Sequence, residues 1–492
     1  MYLPRRVYLD HNATTPVDPA VAEAMAVALR DVFGNPASLH TEGRKAEGVL
    51  RRARSSVARL LGCPEERVFF VGSGSEANNT AILGVFSARG SKGHVVTTRI
   101  EHESVLGACA EIERRGGQVT YLAAGRDGRV EARQVQEALR PDTVLVSVMH
   151  ANNETGALQP VEEIGRLCRE AGVPLHTDAV QSFGKIRTDV DALGCELLSL
   201  TAHKINGPKG AAALYWRGVH ACEPLIRGGD QEGGMRAGTV AVHQVAGLGK
   251  AAELRYERWR GDLERLRPLR AELIRGLREA FPAARVNGAE GEGRQLPGTV
   301  NVTFPAKNGL HLLAALDCYE ISVSIGSACT ADRIEPSHVL LGMGLSREDA
   351  LSSIRLSMGG GTGKKDIAHV LKMLPRVLQG DPPGFAYLDP QHLTRERLTS
   401  KDVFLIDISM PTTRLTQRVL REAHRFSYFS FDKHLPEIPR DKEALLICDT
   451  GAFSLMAGYR LAQQGHSRVR VVFGGYGAWR ALHPRLVEEL CG

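Results

Sequence analysis

The chain has 492 residues, 43% apolar and 24% charged, with 52 glycines and 23 prolines; these values exclude a fibrous or disordered chain and exceed what one core holds, so two to four domains are expected. A net charge of +6 from 62 basic and 56 acidic residues is too small and scattered to imply nucleic acid. No run approaches the roughly 18 apolar residues that span a bilayer, and no apolar leader follows Met1-Tyr-Leu-Pro-Arg-Arg6, so the expected compartment is the cytoplasm.

The first expected helix has Asp18 as cap and Pro19 at its first position, with Val21, Met25, Ala28, Leu29 and Val32 on one face and Gly34 as stop. A second starts at Thr41, carries Ala46, Leu50, Ala53, Val57 and Leu60 at helical spacing, and closes at Gly62. Short β-branched runs at 67–71, 94–98, 118–122, 143–149, 173–177, 196–200 and 211–215 then alternate with helix-length segments. That alternation predicts βα units around a mostly parallel, doubly wound sheet.

Charged helical sequence over 251–278 leads to a smaller α+β region, with strands at 299–304, 321–325 and 352–358 and helices at 309–316 and 366–378. A Pro/Gly-rich stretch follows, and 381–392 reads as a linker. The last hundred residues restart with buried-strand runs at 403–407, 444–448 and 469–473 and a helix at 454–464, a third, small α/β domain over 393–492. Nine cysteines, at 63, 109, 168, 195, 222, 318, 329, 448 and 491, form no C-x-x-C pair and imply no disulfide framework.

Parallel sheets bind ligands beyond the carboxyl ends of their strands. After the run 67–71 comes Gly72-Ser-Gly-Ser-Glu-Ala-Asn-Asn79, a small-residue turn opening a helix. Its backbone N–H groups, hydroxyls and helix dipole suit a phosphate, although such turns also begin ordinary helices. Asp178-Ala-Val-Gln181 and Thr201-Ala-His-Lys204 follow the runs 173–177 and 196–200. An acid and a lysine on neighbouring strand ends suggest pyridoxal phosphate, the carboxylate holding the pyridinium proton and the lysine forming a Schiff base. A surface lysine and a helix-capping aspartate account for the same spacing.

The motifs Asp10-His-Asn-Ala-Thr-Thr-Pro16, Glu101-His102, His150-Ala-Asn-Asn-Glu-Thr-Gly156, Asp178-Ala-Val-Gln181, Ala202-His-Lys204, Met235-Arg-Ala-Gly-Thr239, Gly326-Ser-Ala-Cys329 and Ser353-Ile-Arg355 occur in this order. Together they resemble the cysteine desulfurases, fold-type I pyridoxal phosphate enzymes of the class V aminotransferase superfamily, over about residues 1–378. The resemblance implies a large domain over about 15–255 and a small domain of 1–14 plus 256–380. It implies Lys204 as the Schiff-base lysine, Asp178 on the pyridinium nitrogen, Gln181 and Asn153 near the phenolic oxygen, and His102 stacked on the ring. Gly74, Ser75, Thr201 and His203 would hold the phosphate, with Thr239 reaching in from the partner of a homodimer. Arg355 would take the substrate carboxylate through a bidentate fork, with Asn12 beside it.

The implied reaction starts with L-cysteine displacing Lys204, which then removes the α-proton. The Cys329 thiolate attacks the substrate sulfur, leaving alanine and a Cys329 persulfide for an acceptor, and His102 is a candidate proton carrier. No resident metal is expected; Cys329 is a candidate transient iron–sulfur ligand. Gly74-Ser75 departs from the Ala-Thr of many relatives but keeps a hydroxyl. The run Gly359-Gly-Gly-Thr-Gly-Lys364 fails as a nucleotide P-loop, because Met358 stands at the first glycine position and Lys365 at the Ser/Thr position. Relatives more often carry an Arg or Lys and an aromatic there, so the run predicts a more mobile loop.

Residues 388–492, with Cys448-Asp-Thr-Gly451-Ala-Phe-Ser454 and Val472-Phe-Gly-Gly-Tyr-Gly-Ala-Trp479, resemble rhodanese-like domains, in which a cysteine opens a loop whose N–H groups cradle a persulfide. Phe453 and Ser409 replace arginines common in active relatives, the usual His-Ile-Pro-Gly-Ala stretch is unrecognisable, and Asp449 disfavours a Cys448 thiolate. Cys448 is therefore either a sulfur relay or a packing residue in a docking module. The leading reading is a desulfurase fused to its own acceptor, the tether raising local acceptor concentration. Alternatives are a selenocysteine lyase, an aminotransferase, which needs no nucleophilic thiol, and an assembly platform that binds an iron–sulfur scaffold or a tRNA-thiolation protein.

Overall fold

A computed structural model describes residues 6–291, 293–326, 335–380, 385–410 and 420–491. The chain opens on β1 (Val7–Tyr8), then α1 (Pro19–Asp31) and α2 (Thr41–Leu61). Asp18 caps α1 by accepting from Ala20 N–H, with Pro19 at the first helical position. α1 buries Val21 and Ala28, whereas Leu29 stands 66% exposed. One residue is a turn of about 100°, which carries Leu29 off the stripe shared by 21, 25, 28 and 32. Gly34 does not stop the helix, which ends at Asp31; a Cβ there would lie 2.3 Å from the Glu42 carbonyl oxygen, so it serves a close backbone approach. α2 ends on Gly62 in the left-handed conformation, φ 70°.

The large sheet holds β2 (Val68–Val71), β3 (His94–Thr98), β4 (Gln118–Leu122), β5 (Thr143–Ser147), β6 (Leu175–Asp178), β7 (Leu197–Thr201) and β8 (Ala212–Trp216). Their order is β2-β8-β7-β6-β5-β3-β4, with β8 antiparallel to both neighbours and the other pairs parallel. The 39-residue helix Val242–Ala280 links two cores. Its first half packs Val245, Leu248 and Ala252 with α2 residues Ala53 and Val57, and its second half sends Leu266, Leu269, Leu273 and Leu277 into the small lobe. A boundary near 255 thus falls inside a continuous helix.

In the small lobe β9 (Arg285–Asn287), β10 (Thr299–Thr303) and β12 (Ser353–Ser357) form an antiparallel sheet in the order β12-β10-β9, while β1 pairs with β11 (Ile321–Ser322) in parallel. The strand expected over 321–325 stops at Ser322, and Ser324 only bridges to Arg355. The third unit is an all-parallel sheet of β13 (Ala386–Leu388), β14 (Val403–Asp407), β15 (His424–Arg425), β16 (Glu443–Ile447) and β17 (Val469–Val472), in the order β13-β17-β16-β14-β15. The linker expected over 381–392 is too long at its far end, because β13 pairs with β17 and Leu388 and Pro390 are buried. Among the described residues no helix is long and apolar enough to cross a membrane.

Candidate active site and a second cysteine site

Strand ends and helix starts of the large domain meet the small lobe at a cavity of about 280 Å³, near the lower end of small-molecule clefts, about 300 Å³. Asn12, Gly74, Ser75, His102, Asn153, Asp178, Gln181, Thr201, His203, Lys204 and Arg355 all line it. β6 ends on Asp178 and β7 on Thr201, after which a single turn, Ala202–Lys204, projects the lysine. α3 (Gly74–Ala88) brings its N-terminus, α4 (Glu103–Arg114) brings His102 as its cap, and β12 supplies Arg355.

Lys204 Nζ donates to the carbonyls of Asn12 at 2.6 Å and Ala13 at 2.8 Å. Burial, then the Arg355 guanidinium, pull its pKa down to about 8, while Asp178 and Asp10 oppose the shift. About a tenth of the amine is then neutral at pH 7, against about one in three thousand for an ordinary lysine. Asp178 is held by Asn78 Nδ2 at 2.7 Å and Val180 N–H at 2.9 Å. Arg355 donates to Asp10 Oδ1 at 2.8 Å and the Asn153 carbonyl at 3.0 Å, while its buried Nε has no partner among the described residues. His102 Nδ1 accepts from Ser104 N–H at 3.1 Å. His203 lies with Nδ1 3.2 Å from Thr14 Oγ1, its pKa lowered to about 4 by burial and by Lys204.

At the start of α3 the first intrahelical bond runs from Ala77 N–H to the Ser73 carbonyl, leaving the N–H groups of Gly74 and Ser75 as helix-terminal donors. Among the described residues, Asn78 Oδ1 and Asn153 Oδ1 are buried without partners. Thr239 is exposed and does not line the cavity of this chain. Cys329 lies outside the described residues. The glycine run expected to be mobile is tied down: Arg265 donates to the carbonyls of Gly359 at 3.1 Å and Gly360 at 3.0 Å, and to that of Thr362. Asn78, the Arg236–Glu76 ion pair at 2.9 Å and Lys185 were not singled out from sequence. Nothing local couples Asn78 to an aspartate 100 positions away.

Residues 7–370 match the aminotransferase class-V family. A cysteine desulfurase IscS of Clostridium botulinum is 42% identical over 376 residues, covering 76% of this chain and 95% of that protein. The chain belongs to the cysteine desulfurase family. A NifS-like protein from Rickettsia africae is 30% identical with a TM-score of 0.68, covering 76% of this chain and 100% of that structure. A structure titled SspA in complex with cysteine is 37% identical with a TM-score of 0.64, covering 72% of this chain and 99% of that one. Cysteine desulfurases depend on pyridoxal phosphate, and this cavity suits it: a lysine and an aspartate on adjacent strand ends, free helix-terminal N–H groups, and orphaned polar atoms on Asn78, Asn153 and Arg355.

The third unit holds the other cysteine singled out from the sequence. Cys448 follows β16 and is fully buried. Its Sγ accepts from Ser454 N–H at 3.3 Å and lies 3.3 Å from Ser454 Oγ, across a loop that turns at left-handed Gly451, φ 89°. Burial raises the Cys448 pKa, with Asp449 adding to the rise and the Ser454 hydrogen bonds opposing it. Burial rather than Asp449, the cause read from sequence, is the main obstacle to a thiolate. Gly475, φ 59°, packs onto this loop; a Cβ would lie 2.0 Å from the Cys448 carbonyl oxygen. Phe453 rests against Tyr428 at 5.2 Å between ring centroids. A cavity of about 760 Å³ opens beside the loop between Gly451, Gly474 and Arg480 on one side and Asn308, His311 and Arg347 of the small lobe on the other.

Proposed function

We propose that this chain removes sulfur from L-cysteine, giving L-alanine and a persulfide on Cys329, and passes that sulfur on, with Cys448 of a rhodanese-like C-terminal domain as the first acceptor. The observation that carries the desulfurase part is the convergence of Lys204, Asp178, Gln181, His102 and Arg355 on one cavity. When bound, pyridoxal phosphate supplies an electron sink next to the α-carbon.

The chain's own residues do the rest. Arg355 takes the substrate carboxylate through its unpartnered Nε–H and a neighbouring N–H, a planar fork that lysine lacks. Lys204, with its lowered pKa, is poised to take the α-proton at Nζ and return one to carbon. Asp178, fixed by Asn78 and Val180, would hold the pyridinium proton of the bound cofactor. Cys329 sulfur attacks the substrate sulfur, the carbon–sulfur bond breaks, and a proton goes to the carbon that becomes the alanine methyl. Cysteine plus thiol becomes alanine plus persulfide, with no external oxidant.

The relay is supported by the loop from Cys448 to Ser454, with its left-handed glycine and its N–H on the sulfur. A homodimer with Thr239 donated in trans accords with the exposure of that residue. An iron–sulfur scaffold or a tRNA-thiolation protein would be a downstream acceptor.

The test is alanine and sulfide release from L-cysteine, read with intact mass. The expected result is stoichiometric alanine and added sulfur atoms on the wild type, both lost in Cys329→Ala, with one sulfur fewer in Cys448→Ala. Undiminished alanine from Cys329→Ala overturns the desulfurase mechanism; unchanged sulfur loading in Cys448→Ala overturns the relay.

A further inference from the structure

Lys185, four residues beyond Gln181 in the turns that follow β6, lies behind the cavity. Its Nζ donates to Gln181 Oε1 at 3.0 Å. Gln181 Nε2 in turn donates at 2.9 Å to the Asn12 carbonyl, the same oxygen that accepts from Lys204. Lys185, Lys204, His11, Asn12 and Arg255 border a hollow of about 40 Å³. At about 10–15 Å³ per water this admits a few waters and no amino acid, so Lys185 does not reach a substrate from there.

The surroundings of Lys185 are cationic from every side: Lys204 from the turn after β7, Arg255 from the long helix and Arg355 from β12. Burial and these charges bring its pKa down to about 7, and it depresses that of His11 in return. The nearby carboxylates are committed elsewhere, Asp262 to Arg255 at 2.6 Å and Asp10 to Arg355 at 2.8 Å, and among the described residues none pairs with Lys185. An amine placed among cations without a counter-ion costs stability, so ion pairing does not account for its position. The account is geometric: an ammonium has donors only, so the carboxamide it meets must present its oxygen, which turns the NH₂ of Gln181 the other way.

We propose that Lys185 is a positioning residue of the cofactor site, holding the Gln181 carboxamide with its oxygen inward so that its NH₂ is offered to the phenolic oxygen of the cofactor. This rests on the cofactor assignment to Lys204. The measurement is the pH midpoint of the visible absorption of the substrate-free holoenzyme. Without that ammonium the Gln181 NH₂ is no longer held toward the phenolic oxygen, whose negative charge is then less stabilised when the Lys204 nitrogen gives up its proton, so Lys185→Met moves the midpoint up by about one unit, tenfold in proton affinity. Lys185→Arg, which keeps charge and donors, stays near the wild type. Lys185→Gln, whose carboxamide offers donor and acceptor alike, also shifts upward and carries the test should Lys185→Met fail to fold. In a Gln181→Leu background the effect of Lys185→Met shrinks to less than half, since the path through Gln181 is gone. Coincident midpoints in Lys185→Met and wild type, or an undiminished shift in the Gln181→Leu background, overturn the proposal. A wild type without any visible band overturns the cofactor assignment itself.

Discussion

At the scale of single residues, buried ionisable groups are set by neighbours that no local pattern reveals. Lys204 and Arg355 are 151 positions apart, yet after burial the guanidinium is the main cause of the low lysine pKa. Glu101, next to His102, is fully buried and pushed up to about 8 by burial, although Thr98 Oγ and Met149 N–H both donate to it. Its raised pKa means that folding takes up a proton between about pH 4.5 and 8. The contribution of Glu101 to stability is therefore present in full below pH 4.5 and lost as pH rises through about 8. Glu101→Gln removes that titration, so its melting temperature relative to the wild type should climb steadily from pH 5 to pH 8. A difference that stays flat over this range would show Glu101 ionised in the folded chain.

At the scale of elements, glycines set how closely helices approach. A Cβ on Gly249 would lie 2.5 Å from both Cα and Cβ of Ala53, so the long helix and α2 touch almost backbone to backbone. Gly249→Ala gains helix propensity but must push the two helices apart, and overpacking of this kind costs about 1–3 kcal/mol. Urea unfolding should show a lower midpoint with unchanged slope; a stabilised variant would mean that the helices separate freely. The same helix fixes how the two lobes stand, because its leucines at 266, 269, 273 and 277 belong to the small-lobe core. The cavity lies where these lobes meet, with β12 bringing Arg355 to residues from β6 and β7.

At the scale of the whole molecule, the C-terminal unit is packed onto the small lobe rather than tethered beside it. Leu455 and Tyr459 share the small-lobe core, Gln463 donates to the Cys318 carbonyl at 3.0 Å, and Arg460 lies 3.6 Å from Asp317. Phe385 sits 5.0 Å from Tyr459 and 6.3 Å from His311 between ring centroids. Truncating Phe385 and Tyr459 to alanine together should loosen this contact, since each aromatic lost from a core costs about 3–5 kcal/mol. Calorimetry should then resolve two transitions where the wild type melts in one, with faster proteolytic cleavage between the units. Unchanged melting and cleavage would locate the adhesion elsewhere.

Local chemistry alone determined much of this protein. Asp18-Pro19 and Gly62 bound α1 and α2 through capping and left-handed geometry, and β-branched runs predicted the strands at 94–98, 118–122 and 403–407 to the residue, because each signal acts within a few positions. The site was legible only through the family resemblance of its motifs, whose spacing alone also fitted a surface lysine and a capping aspartate; eleven of the residues it implied line one cavity. Tertiary structure alone decided the exposure of Leu29, the end of β11 at Ser322 and the addition of β13 to the third sheet, since each depends on which distant strand or helix covers the segment. It also decided the company each polar group keeps: Asn78 on Asp178, Lys185 on Gln181, Asp10 on Arg355. Such pairings follow from how the sheet stacks its strand ends against the small lobe, and a linear sequence carries no period or spacing that encodes them.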